Sequence, residues 1–156
     1  TEGGVRVPLI ARWPGRIPAN VTSNEIIAFW DMLPTFAALA GTEPPPGIDG
    51  VSIVDALAGG RITNPHEYLY WDYGHCRERY DQAVRMGNWK GIRLGTGSQI
   101  QLYDLDTDMG EKNNVAAGHP DVVQKIEAIM KKAVRPDDRY PVGSLYEGRA
   151  IWRPEG

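Results

Sequence analysis

Residues 82–95 read QAVRMGNWKGIRLG, and this stretch predicts the fold of the middle of the chain. Two similar runs flank it, residues 66–74 (HEYLYWDYG) and residues 99–106 (QIQLYDLD). All three runs are rich in Tyr, Trp, Ile, Leu and Val, and polar or glycine-rich turns separate them, which is typical of strands. Residues 95–98 (GTGS) form a hairpin loop between the second and third runs. We therefore predict an antiparallel sheet of three or four strands.

An amphipathic helix follows the sheet, at residues 119–136 (HPDVVQKIEAIMKKAVRP). Pro120 stands at the first helical position, where a missing N–H costs least, and Pro136 ends the helix. Asp121 and the basic residues near the other end complement the helix dipole. The sequence predicts one apolar face that packs on the sheet, made of Val122, Ile126, Ile129, Met130 and Ala133.

Two elements are predicted upstream of the sheet. Residues 5–13 (VRVPLIARW) indicate a strand buried on both faces, although Pro8 is awkward inside a central strand. Asp31 then caps a helix that ends at Gly41, which is expected to adopt the left-handed conformation. The apolar face of that helix comprises Leu33, Phe36, Ala37 and Ala40.

Composition excludes several classes of protein. The chain has 156 residues, a net charge of −3 and 42% hydrophobic residues, which are the values of an ordinary globular protein. Its scattered basic residues predict no nucleic-acid partner, and no apolar stretch reaches the roughly 20 residues of a membrane helix. A single cysteine, Cys76, excludes an internal disulfide and a multi-cysteine zinc site.

The residues alone indicate no self-contained active site. His75 and Cys76 are adjacent, so on a strand they would point to opposite faces and could not form a nucleophile pair. His66 and His75, with the acids near them, match no compact pattern of metal ligands. Gly3 and Gly4 indicate either a turn or a close approach to a functional group. The pattern is that of a strand–helix segment followed by a sheet–helix domain.

Several motifs, in order, resemble the type I sulfatases of the alkaline-phosphatase-like superfamily. Each is weak alone, but their order and spacing also fit across residues 2–135. The motifs are EGGVRVP at 2–8, WPG at 13–15, DMLPT at 31–35 with AG at 40–41, DGVS at 49–52, QAVRMGNWK at 82–90, and LYDL at 102–105 followed by Asp108, Glu111, Asn113 and Asn114.

The resemblance implies the C-terminal part of a longer α/β enzyme. Residues 1–60 would be the end of the large α/β core, contributing one strand and one helix. Residues 61–136 would be a C-terminal subdomain of antiparallel sheet and helix, and residues 137–156 an irregular tail. The expected fold class is α/β, with an α+β fragment in this chain. An unpaired strand at residues 5–13 would seek partners, so self-association of the chain is expected.

Enzymes of this family use a formylglycine, made from Cys or Ser within C/S-x-P-x-R, and a divalent cation, usually calcium. No such motif occurs in this chain, and Cys76 is followed by CRERY rather than by the family pattern. The resemblance therefore implies formylglycine and calcium for a parent enzyme, with no catalytic residue, metal ligand or cofactor in this chain. We expect the chain alone to be inactive towards sulfate esters and to bind no calcium at a family site.

The run at residues 73–81 (YGHCRERYD) is the candidate substrate loop. His75 and Arg77 could contact the sulfate or the organic part of an ester, and Trp71 could stack on a sugar. The alternative is a polar hairpin loop beside a core tryptophan. The implied partner is a sulfated small molecule or glycan, and the resemblance implies a periplasmic or secreted parent. A related phosphodiesterase or phosphonate hydrolase, and a non-catalytic binding module, remain open alternatives.

Overall fold

A computed structural model describes residues 1–73, 80–95 and 97–135. The described residues fall into two compact units. The sheet unit contains Thr1–Arg6 and the chain from Tyr68 onward, and the helical unit contains Val7–Glu67. The elements are, in order, α1 (Glu2–Val5), a 3-10 turn (Phe29–Asp31), α2 (Met32–Leu39), α3 (Val54–Leu57), β1 (Leu69–Tyr73), β2 (Asp81–Met86), β3 (Trp89–Leu94), β4 (Gln101–Asp104), a second 3-10 turn (Ala116–Gly118) and α4 (Pro120–Ala133).

The sheet unit is built on an antiparallel meander in the order β1-β2-β3-β4. The predicted sheet of three or four strands is therefore confirmed. The stretch 82–95 contains a hairpin, in which β2 and β3 pair from Asp81 opposite Leu94 to Met86 opposite Trp89. The chain reverses at Gly87, whose φ of 60° is a backbone conformation that glycine adopts without steric cost.

One face of the sheet carries the hydrophobic core. Directly opposed residues share a face, and Tyr70 pairs with Val84 while Trp71 pairs with Ala83. Val84 lies under α4 in a cluster with Leu102 and Ile126. All three are fully buried, and burying each such side chain contributes about 1.5–3 kcal/mol. The predicted apolar face of α4 is confirmed at its buried members Val122, Ile126 and Met130.

The strand predicted for residues 5–13 is absent. Glu2–Val5 instead forms a short helical turn, and no strand follows it before β1. The side chains of Val7, Leu9 and Ile10 are exposed, Ile10 to 91%. A strand needs a neighbour to accept its hydrogen bonds, and the four described strands pair only with one another. Pro8 also removes one donor from this segment. Residues 5–13 are mostly apolar, as the prediction assumed, but none of the four described strands pairs with them.

In the helical unit, α2 occupies the predicted place. Gly41 has a φ of 70°, which confirms the predicted left-handed end of the helix. The predicted apolar face, however, is turned outward: Leu33 is 52% and Phe36 62% exposed, while Pro34 and Thr35 are buried. Thr35 is held inside because its Oγ1 donates to the carbonyl of Asp31 and accepts from the N–H of Ile53. The helical unit therefore buries the side of α2 that carries Pro34 and Thr35.

Candidate functional site

The candidate substrate loop begins where β1 ends. Tyr73 is the last residue of β1 and is paired with Asp81, the first residue of β2. His75 and Arg77 lie between these strands, outside the described residues, so their predicted role stays a prediction. Trp71 lies on β1 and is half-buried. Its side chain is on the other face of the sheet from that of Tyr70. Trp71 and Tyr70 lie on opposite faces because consecutive residues of a strand alternate.

The sheet face that carries α4 ends in a polar network at this same edge. The hydroxyls of Tyr70 and Tyr80 are 3.1 Å apart. The hydroxyl of Tyr80 donates to the carboxylate of Asp72 at 3.4 Å, and Nε2 of Gln82 donates to the hydroxyl of Tyr70 at 2.8 Å. The network therefore joins the last residues of β1 to the first residues of β2, which are the two ends of the candidate loop.

Burial governs the acid–base behaviour of this network. Burial raises the pKa of Tyr70 above the ordinary value of a phenol. Burial also raises the pKa of Tyr80 far above that value, and the hydrogen bond with Tyr70 adds to the effect. Both phenols consequently remain protonated near neutral pH, where they act as hydrogen-bond partners and not as general bases.

Gln82 extends the network to the end of α4. Its Nε2 donates to the backbone carbonyl of Met130 at 3.4 Å, and its Oε1 accepts from Nε of Arg93 at 3.0 Å. Gln82 is buried, and its amide therefore has partners on both its oxygen and its nitrogen. This arrangement supports a structural role: it fixes the base of the candidate loop to the helix.

A second group of charged residues, here called the charge cluster, consists of Glu2, Arg85, Lys90 and Glu111. The Nζ of Lys90 lies 2.6 Å from Oε1 of Glu2 and 2.8 Å from Oε1 of Glu111. The guanidinium of Arg85 lies 3.3 Å from Oε2 of Glu2. The side chain of Lys90 is fully buried, and those of Glu2 and Glu111 are 4% and 3% exposed.

Sequence reasoning missed this cluster, although its members lie inside quoted motifs. Glu2 belongs to EGGVRVP, Arg85 and Lys90 belong to QAVRMGNWK, and Glu111 follows LYDL. Three separate sulfatase-like motifs thus converge on one buried point. The available signal was that each motif carried at least one charged residue. Nothing in the linear order, however, indicated which charges would meet.

The helical unit is organised around a buried carboxylate, Asp31. Its Oδ2 accepts from the N–H of Ala28 at 2.7 Å, and its Oδ1 accepts from the N–H of Val51 at 2.9 Å. His66 approaches Oδ1 through Nε2 at 2.8 Å. The prediction that Asp31 caps α2 is wrong in its partners, because the side chain makes no hydrogen bond to the helix. It joins the turn before the helix to the DGVS motif and to His66.

The described carboxylates do not fit a family calcium site. Within residues 1–73, 80–95 and 97–135, no three His, Cys, Asp or Glu side chains group in a way that could hold a metal ion. Glu2 and Glu111 converge, but the ammonium of Lys90 occupies the space between them. Asp31 already accepts from two backbone amides and contacts His66.

Across the same described residues, every helix is too short or too polar to cross a bilayer.

Comparison with known families gives one match across most of the chain. Residues 1–137 match the family described as N-sulphoglucosamine sulphohydrolase, C-terminal. The matched range includes the whole sheet unit up to the end of α4 and the whole helical unit.

Individual relatives are sulfatases. N-acetylgalactosamine-6-sulfatase of Canis lupus familiaris is 42% identical over 160 residues, which cover 84% of this chain and 31% of that protein. Arylsulfatase G of Rattus norvegicus is 30% identical over 148 residues, which cover 83% of this chain and 28% of that protein. The chain therefore spans less than a third of the length of these curated relatives.

Solved structures give the same result. The crystal structure of Ps i-CgsB covers 87% of this chain with 26% identity and a TM-score of 0.68, and the match spans 30% of that protein. BT4656, solved in complex with its substrate D-glucosamine-2-N,6-O-disulfate, covers 78% of this chain with 27% identity and a TM-score of 0.62, across 26% of its own length. The fold and the relatives agree on one family.

Proposed function

Because the chain belongs to the family of N-sulphoglucosamine sulphohydrolase C-terminal regions, we propose that it is the C-terminal part of an enzyme that hydrolyses sulfate esters. The observation that carries this proposal is the match over residues 1–137, within which three sulfatase-like motifs meet at the charge cluster. The reacting groups would come from other residues of the same enzyme, since C/S-x-P-x-R does not occur in this chain.

Formylglycine and calcium are therefore proposed for the parent enzyme alone. Bound there, they would supply the nucleophile and neutralise sulfate charge. The proposed contribution of this chain is structural and, at the candidate loop, directed to the substrate.

The proposed substrate is a sulfated small molecule or glycan, bound beside Trp71, His75 and Arg77. BT4656 is named with a disulfated glucosamine as its substrate, which supports a sulfated sugar as the ligand class. The guanidinium of Arg77 would donate charge-assisted hydrogen bonds to sulfate oxygens. Trp71 is half-buried on β1, the strand from which the loop extends, and its proposed role is to stack on a sugar.

The apolar surface of the helical unit supports the proposal that residues 1–60 belong to a larger α/β core. Phe29, Leu33, Phe36 and Leu39 are all exposed, by 40–77%. Spaced three or four residues apart, they lie on one side of the turn and of α2. An exposed apolar strip of this kind marks an interaction surface, and the proposed occupant is the remaining polypeptide of a sulfatase. In the chain by itself, the same strip would favour self-association.

The first test is the complete reading frame that encodes this chain. A frame that carries C/S-x-P-x-R upstream of Thr1, and a product that hydrolyses an aryl sulfate, would support the proposal. A frame that encodes a phosphodiesterase or phosphonate hydrolase nucleophile, or only a binding module, would replace it. A leader peptide in that frame would test the further proposal that the enzyme is periplasmic or secreted.

The second test addresses the substrate residues in the complete enzyme. Arg77→Ala should raise KM for a sulfated disaccharide by about tenfold, since a charged hydrogen bond is lost. Trp71→Ala should raise KM for the disaccharide but not for a small aryl sulfate, which offers no sugar face. Arg61→Ala, which removes an exposed cation in the helical unit, is the matched control. Unchanged KM values in both variants would remove these residues from the substrate site.

A further inference from the structure

The formal charges of the charge cluster sum to zero, and removing any one of them is expected to lower the stability of the fold. Two carboxylates face two cations, and the central ammonium of Lys90 has no exposed surface. Breaking a buried ion pair by removing one partner is strongly destabilising, because the remaining charge is left without compensation. The cluster is therefore expected to open only when the segments that carry its members separate.

Those segments are distant in the sequence. Glu2 lies in α1, Lys90 lies in β3, and Glu111 lies in the loop after β4. The backbone N–H of Glu2 also donates to Oε1 of Glu111 at 3.0 Å, across 109 residues of chain. Glu111 has a φ of 53°, a left-handed conformation that costs a non-glycine residue about 1–2 kcal/mol. Its contacts with Lys90 and Glu2 offset that cost.

The cluster also lies where the chain leaves and re-enters the sheet unit. The N-terminal segment Thr1–Arg6 belongs to the sheet unit, and the chain passes into the helical unit at Val7. It returns at Tyr68, and the next residue, Leu69, is paired with Arg85. Arg85 in turn contacts Glu2. Glu2 and Leu69, which flank residues 7–67 in the sequence, thus both lie against Arg85 of β2.

We propose that the charge cluster is a latch that holds the segment Thr1–Arg6 on the sheet and closes residues 7–67 into a loop. The ion pairs would act as a disulfide does in other proteins, because they hold the two ends of residues 7–67 close together. Opening the latch releases the segment while β1–β4 and α4 stay folded, since the apolar cluster under α4 contains no residue of the segment. This role holds for the chain whatever reaction the complete enzyme performs.

Hydrogen exchange on the full chain tests the latch. The amides of Gly4 and Arg6 are hydrogen-bonded to the carbonyls of Thr1 and Glu2, so they report on α1. Glu2→Gln and Glu111→Gln each remove one charge with little change of shape. Each should speed exchange at Gly4 and Arg6 about tenfold or more, while exchange within α4 changes less than about twofold.

Glu127→Gln is the matched control, because it breaks the exposed pair of Glu127 with Lys131 in the same unit. It should leave exchange at Gly4 and Arg6 unchanged. High salt should likewise leave the wild-type rates at α1 unchanged, since buried pairs are screened weakly. A uniform rise across α1 and α4 in the Glu2 and Glu111 variants would overturn the proposal, and so would no rise at α1.

Lys90→Met adds a second readout where it remains folded. It leaves two carboxylates facing each other, so limited proteolysis should cut between Arg6 and Trp13 faster than in the wild type. Adding Glu2→Gln and Glu111→Gln to Lys90→Met removes both carboxylates and leaves Arg85, which is partly exposed, as the remaining charge. The triple variant should regain part of the stability, yet not the protection of α1. Full protection of α1 in that triple variant would show that packing, and not charge, holds the segment.

Discussion

Gly91 lies directly beneath Ile126. A Cβ built on Gly91 would stand 2.6 Å from Cγ2 and 3.1 Å from Cδ1 of Ile126, and 3.2 Å from Cγ2 of Ile100. Ile126 is fully buried at the centre of α4, and Gly91 is in the middle of β3. The absence of a side chain at Gly91 therefore sets how closely the helix approaches the sheet.

Gly91→Ala should destabilise the sheet unit by about 1–3 kcal/mol, the usual cost of adding atoms to a filled core. Chemical denaturation of the whole chain measures this change. Gly97→Ala is the control, because a Cβ at Gly97 meets nothing within 4 Å. In the Ile126→Ala background, Gly91→Ala should cost clearly less, since the two nearest methyl groups are gone and only Cγ2 of Ile100 remains close. Equal costs in the two backgrounds would contradict the contact.

Ile126→Asp should unfold the sheet unit or leave it severely weakened. The substitution places a carboxylate in the apolar cluster formed with Val84 and Leu102, where no polar partner is available among the cluster residues. Thermal melting followed by circular dichroism would show the loss. Ala128→Asp, two residues along the same helix and exposed, is the control and should change the melting temperature little. Comparable melting temperatures for both variants would be incompatible with this packing.

Asp31→Asn should destabilise the helical unit by about 1–3 kcal/mol, because an amide offers one acceptor where the carboxylate offers two. The NH₂ group of the new side chain would face an N–H donor, either Ala28 or Val51. Hydrogen exchange at the Val51 amide is the most direct measurement and should quicken. Glu43→Gln, on an exposed loop of the same unit, serves as the comparison. Unaltered exchange at Val51 would argue against Asp31 as the organising group.

Stability should decline at alkaline pH because of the buried tyrosines. The pKa of Tyr80 is raised in the folded chain, so its protonated form is favoured by folding. That contribution is complete below the ordinary phenol pKa of 10.0 and is lost as pH rises above it. Tyr80→Phe should therefore make the decline between about pH 9 and 12 shallower. Tyr73→Phe, at an exposed position on β1, should not. Parallel pH profiles for all three proteins would refute the assignment.

The sheet and α4 could be predicted from the sequence because their signals are local. Alternation in residues 66–74 and the spacing of Val122, Ile126 and Met130 each lie within one element, and packing then followed from the two apolar faces. The strand at residues 5–13 could not be judged in this way, since its existence depends on a neighbour elsewhere. The same applies to α2, whose apolar residues are exposed because the helical unit buries Thr35 and Asp31 instead.

In the candidate site, too, local features could be predicted from the sequence, whereas contacts between distant residues could not. The sheet face of Trp71 follows from the strand alone, because the period of a strand is a property of consecutive residues. His75 and Arg77 lie outside the described residues and stay predictions. The charge cluster and the Asp31–His66 contact were both unforeseen, although the residues of the cluster belong to recognisable motifs.

The sheet of β1–β4, the helix α4 with its apolar face, and the family were determined by the linear sequence, because propensity, periodicity and motif spacing need no third dimension. Which charges neutralise one another, and where the N-terminal segment is anchored, were decided only by the tertiary structure. Coulombic pairing depends on distance in space, and Glu2 lies beside Lys90 only through the fold, since 88 residues separate them in the sequence.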